Sequence, residues 1–159
     1  MHGIQMLLVI GGVMLLGFLS LTFYRTMSNQ DGNVIHNSVV IDATAVGQSV
    51  MAEIENKAFD EMTKDSTVTN PLNLTPSLSF GPELGETYPF DDIDDFNNYS
   101  KKDTVADIGV FSTRVSVKYV QTMSPDNTTN NSTFSKGVYL FITNSLISDT
   151  VKLARVFSY

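Results

Sequence analysis

From Met6 to Tyr24 the chain reads MLLVIGGVMLLGFLSLTFY, 19 residues without a charge and with Ser20 and Thr22 as the only polar side chains. As an α-helix this run is about 28 Å long, close to the ~30 Å hydrocarbon core of a bilayer. The two hydroxyls are tolerated there because each can bond back to a carbonyl one turn earlier. Such a segment cannot stay wetted. It must lie in lipid, be removed, or be covered by other apolar surface.

Charge is segregated along the chain in the same sense. All 17 acidic residues lie at or after Asp31, and Arg25 is the only earlier charged side chain. A mean hydropathy of +0.02 therefore averages two unlike segments. Three readings of the apolar run compete. A cleaved secretory signal requires a basic start and small residues at the cleavage site, whereas here His2 precedes the run and FYRTM ends it. A membrane anchor for an outward-facing domain is the simplest reading. The third is a helix held first in the membrane that later packs against copies of itself. Gly11, Gly12 and Gly17 suit that role, because small residues let neighbouring helices approach closely. Arg25, at the end of the run, is an interfacial anchor or the partner of a neighbour's carboxylate.

Ser28–Asn33 (SNQDGN) reads as a break. Beyond it Val39, Ala43, Val46, Val50 and Ile54 recur at helical spacing, an apolar stripe that fades after Met62. Residues 1–27 are thus a hydrophobic helix, 28–63 an amphipathic helix joining it to the rest, and 64–159 a β-rich head. From Asn70 to Ser100 the chain is rich in Pro, Asn, Ser and Gly and reads as an ordered loop. Phe111–Val120 alternates, with Phe111, Thr113, Val115, Val117 and Tyr119 on one face. Gly137–Thr143 and Val151–Phe157 are also strand-like, and Ser124–Thr133 between the first two reads as a polar loop. The expected fold is α+β: a long N-terminal helix, hydrophobic then amphipathic, followed by a small antiparallel sheet of at least three strands.

Composition narrows function. The absence of cysteine excludes disulfides, thiolate metal sites and thiol nucleophiles. Only His2 and His36 offer imidazole, far apart, so no nucleophile–base–acid set can be assembled and no enzyme is expected. A net charge of −7 argues against nucleic acid as a partner.

Ala43-Thr44-Ala45-Val46-Gly47-Gln48-Ser49-Val50-Met51-Ala52-Glu53-Ile54 is similar to the small-residue, Gln, then Glu helix of minor pilins. Phe90-Asp91-Asp92-Ile93-Asp94-Asp95-Phe96-Asn97-Asn98-Tyr99 resembles an acidic loop that some of those proteins carry. With the order helix, loop, sheet, the chain resembles a type IV pilin, minor pilin or pseudopilin. That resemblance implies a structural subunit of a cell-surface filament, a homopolymer assembled through the N-terminal helix from a membrane pool by a pilus assembly machinery. Two departures stand. Met1-His2-Gly3 puts histidine where the family's leader has a basic residue before glycine, so the chain is expected to stay uncleaved. If Met1 begins the mature chain, Gln5 stands where the family has a glutamate and can hydrogen-bond but not pair with an amine. The alternative from a different class is a single-pass anchored protein whose exposed β domain binds a ligand or partner.

Two further sets of residues carry chemistry. Asp91, Asp92, Asp94, Asp95 and Asn97 concentrate hard oxygen donors that Ca²⁺ prefers, although the spacing lacks the glycine and distal glutamate of an EF-hand loop. A solvated acidic loop, pinned by Ile93 and Phe96, is the favoured reading; no other cofactor is expected. The sequons at Asn73, Asn98, Asn127, Asn130 and Asn131 are acceptors if the chain meets a glycosylating compartment, though Asn, Ser and Thr are common here.

Overall fold

The computed structural model describes the backbone of residues 2–106 and 108–159, and the side chains of all of these except 2 and 29–33. The chain divides into two compact units between Ser38 and Val39. Helix α1 (His2–Glu55) provides the first unit and begins the second. The break expected at Ser28–Asn33 does not occur, because the helix is continuous through it. A single glycine costs only about 1 kcal/mol relative to alanine. No proline interrupts the ladder, and extending a helix avoids the cost of nucleating a second one.

In the first unit Gly3–Ser28 forms 26 residues of helix with mean hydropathy 2.4, long and apolar enough to cross a membrane, and none of it is buried within the chain. Its large side chains are open: Leu16 and Met14 are each 71% exposed and Phe18 is 68% exposed. The hydroxyl of Thr22 donates to the carbonyls of Phe18 (2.8 Å) and Leu19 (2.9 Å), as an apolar setting requires.

In the second unit the predicted stripe is the buried face of α1. Val39, Ala43, Val50 and Ile54 are buried and Val46 packs beside them. The helix stops at Glu55, earlier than the sequence pattern suggests, since Ala58 leaves it to pair with Asp92 in a parallel bridge. Short 3-10 turns follow at Glu61–Thr63, Pro71–Asn73, Ser77–Ser79 and Asp94–Phe96.

The sheet is antiparallel and contains β1 (Ser100–Val105), β2 (Gly109–Gln121), β3 (Ser124–Thr129), β4 (Ser135–Asn144) and β5 (Val151–Ser158). Its order is β1-β2-β4-β5, with β3 pairing the far end of β2. The three predicted strands are β2, β4 and β5, and Phe111, Thr113, Val115, Val117 and Tyr119 all face the core. β1 and β3 are the strands the sequence does not announce. The loop expected at Ser124–Thr133 starts as strand β3, SPDNTT, which is mostly exposed on both faces. It is held by backbone pairing to β2, so its side chains carry no alternation to read.

Gly47 of α1 faces side chains of β4 and β5. A Cβ there would lie 2.6 Å from Leu153 Cδ1 and 2.9 Å from Ile142 Cδ1. Each fully buried Val, Leu, Ile or Phe of this interface contributes about 1.5–3 kcal/mol of transfer free energy.

Candidate functional site

The loop Phe90–Tyr99 is not the solvated acidic loop expected from composition. Asp92, Asp94 and Asp95 are buried at 0%, 2% and 1% exposure, and Asp91 is the one carboxylate of the four that is exposed. Backbone pairing brings the segment inside. The Ala58 N–H donates to the Asp91 carbonyl and the Ile93 N–H to the Ala58 carbonyl, both at 3.0 Å. Ile93 and Phe96 are buried, as expected, and Phe96 packs edge-on against Phe90 and Tyr99.

Each acidic side chain has its own employment. Asp91 pairs with Lys64, which also binds Glu61 at 2.7 Å. Asp92 Oδ1 accepts the N–H groups of Asp94 (2.9 Å) and Asp95 (3.2 Å), closing the 3-10 turn. Asp95 Oδ2 accepts the N–H of Asp92 at 3.3 Å. Asp94 Oδ1 accepts from Lys136 Nζ at 2.6 Å. Asn97 Oδ1 accepts the N–H of Val117 at 3.1 Å and so ties the loop to β2. The five residues singled out as a calcium set thus face different partners and do not converge on one point. Among the described residues, Glu61 with Asp91 and Asp92, and Glu83 with Glu86 and Asp95, are the groupings whose carboxylate oxygens come within 4.8 Å of one another.

Lys136 is the hub. Fully buried, it donates to the Phe59 carbonyl (2.7 Å), Asp60 Oδ2 (2.8 Å) and Asp94 Oδ1 (2.6 Å). The rings of Phe59, Phe80 and Tyr119 surround its ammonium at 4.7, 5.1 and 5.6 Å. Asp60 also receives the Thr75 N–H and hydroxyl, and the Tyr119 hydroxyl donates to the Thr75 carbonyl at 2.7 Å. One ammonium therefore fastens β4 to the segment after the helix and to the acidic loop, while Asp60 links both to the loop at Thr75. Burial of Tyr119 and the charge of Asp60 raise its phenol well above the ordinary value. Burial, then the charge of Asp94, push the Asp92 carboxyl up to about 9.

Sequence reasoning missed Asp60 and Lys136. The signal was parity: Lys136, Val138, Leu140 and Ile142 share one face of β4, and a lysine on a core face demands a buried carboxylate.

In the first unit Gln5 is exposed, and a Cβ at Gly11, Gly12 or Gly17 would meet nothing within 4 Å. Arg25 is exposed and makes no ion pair among the described residues. The leader residue Met1 lies outside the described residues. Asn73, Asn98, Asn127, Asn130 and Asn131 are all exposed, and Asn98 adopts a left-handed φ of 64°. No family model, curated protein or solved structure matches the chain.

Proposed function

We propose that this chain is a non-catalytic structural subunit of an extracellular filament of the type IV pilus kind, assembled through residues 3–28. The observation that carries the proposal is the apolar helix with no residue of it buried within the chain. Each CH₂ wetted by water costs about 0.8 kcal/mol, so lipid or other helices must cover it. Both surroundings are apolar, and moving the helix from bilayer to filament core exchanges one cover for another. Gly11, Gly12 and Gly17 would allow close helix contacts, Gln5 would offer a hydrogen bond across the interface, and Arg25 a charge to pair with a neighbouring subunit. A heterologous contact that does not close generates a helical polymer. The unit Val39–Tyr159, which bears most of the acidic residues, would remain in water at the cell surface. The partners are further copies of the chain, the membrane before assembly and an assembly machinery.

Mechanical shearing of cells that express the chain, followed by electron microscopy and mass spectrometry of the released material, tests this. Filaments containing the chain, released without detergent, are expected. A chain that stays with the membrane and enters detergent as a monomer or small oligomer would instead make it an anchored protein whose β domain binds a ligand or partner.

A further inference from the structure

Two aspartates of the acidic loop pair with lysines, and a third is engaged by its own turn. Asp91 has Lys64, Asp94 has Lys136, and Asp92 caps its own turn. Asp95 is left over. It is 1% exposed, its Oδ2 takes the single N–H of Asp92, and its Oδ1 has no hydrogen-bond partner. Against it stands the turn Glu83–Glu86, closed by the Glu86 N–H on the Glu83 carbonyl (3.0 Å) and by the Glu83 N–H on Glu86 Oε2 (3.2 Å). Glu83, Glu86 and Asp95 each place a carboxylate oxygen within 4.8 Å of the other two.

The same loop supplies an internal comparison. Glu61, Asp91 and Asp92 form a second such group; its Asp92 also keeps a buried oxygen without a partner, but there the ammonium of Lys64 bonds to Glu61 and Asp91. No lysine or arginine pairs with Glu83, Glu86 or Asp95 among the described residues. Three carboxylates are thus crowded together with a buried, unpartnered oxygen and no cationic side chain beside them. Oxygens at 2.3–2.6 Å from a common Ca²⁺ lie at most about 5 Å apart, and these three lie within 4.8 Å of one another.

We propose that Glu83, Glu86 and Asp95 form a calcium site, with Asp95 as the buried ligand and Glu83 and Glu86 closing over it from the solvent side. The site shares Asp95 alone with the set that the density of acids in the sequence suggested. Its effect is to tie the turn at Glu83–Glu86 to the acidic loop. Without a cation, contact with Glu86 pushes the Glu83 carboxyl up to about 7 and burial pushes Asp95 up to about 6, as expected of carboxylates crowded together. The proposal concerns the second unit alone and does not depend on filament assembly.

The test is calorimetric titration of CaCl₂ into the full chain in detergent, stripped beforehand with a chelator, together with thermal melting. One saturable site per chain is expected, with a Kd on the order of 10⁻⁴–10⁻³ M as in extracellular calcium modules, and a Tm that rises with calcium. E83Q and E86Q should each weaken binding at least about tenfold, since each removes a ligand charge, while E61Q should bind like the parent. Glu83 is exposed and Glu86 half-buried, so both variants should keep the circular dichroism of the fold. An absence of saturable binding and of any Tm shift at millimolar calcium would overturn the site. Loss of binding in E61Q with binding retained in E83Q and E86Q would do the same.

Discussion

A lysine with no exposed surface sets the energetics of the second unit at the level of single residues. Lys136 holds two carboxylates and a carbonyl, and removing one member of such a group strands the others without compensation. K136M should therefore cost roughly 3–5 kcal/mol in denaturant unfolding. The triple variant D60N/K136M/D94N should recover more than half of that loss, because no unpaired charge remains. Asp92 makes a second prediction with a definite sign. Its carboxyl moves from an ordinary 3.8 to about 9 in the fold, so between these values the native state holds a proton that the unfolded chain has released. Its contribution is full below pH 3.8 and is lost as pH rises through about 9. D92N keeps the Oδ1 acceptor for the turn. It should fold, and its Tm should fall less steeply than the parent's between pH 6 and 9.

At the level of elements, the seam between α1 and the sheet depends on a missing side chain. Gly47 lies where the ends of the Leu153 and Ile142 side chains must shift to admit even a Cβ. G47L should lower stability by about 1–3 kcal/mol through overpacking. G47A should be far milder, because helix propensity favours alanine and Leu153 is only half-buried and can turn aside. If G47L melts at the parent temperature, the helix does not sit as described. The amphipathic stripe announced this packing, since Val39, Ala43, Val50 and Ile54 must face something apolar. Nothing in the spacing announced that Gly47 faces side chains that crowd the space a Cβ would take.

For the molecule as a whole, the two units differ in what they need from their surroundings. The second has its own core, with Phe96, Phe111, Val115, Tyr119, Leu140 and Ile142 all fully buried, while the first buries none of its apolar span. A chain begun at Val39 should accordingly be a detergent-free monomer in size-exclusion chromatography, with the secondary structure of its sheet retained by circular dichroism. Persistent association of that shortened chain would move the assembly surface from the apolar helix to the second unit. The parent should need lipid, detergent or its own copies to stay dispersed.

Hydrophobic patterning alone determined the apolar helix, the buried stripe at 39–54 and the three core strands, because each is written in the spacing of side chains that must leave water. Tertiary structure decided the rest. Polar strands β1 and β3 exist through backbone pairing that leaves no mark on side-chain order. The surroundings of Asp94 and Asp95 in the acidic loop depend on residues outside it, Lys136 for Asp94 and Glu83 and Glu86 for Asp95. Composition shows only that charges are crowded. Whether a carboxylate is solvated, protonated, paired or left open to a cation depends on what the fold places beside it, since burial raises the cost of every charge that lacks a partner.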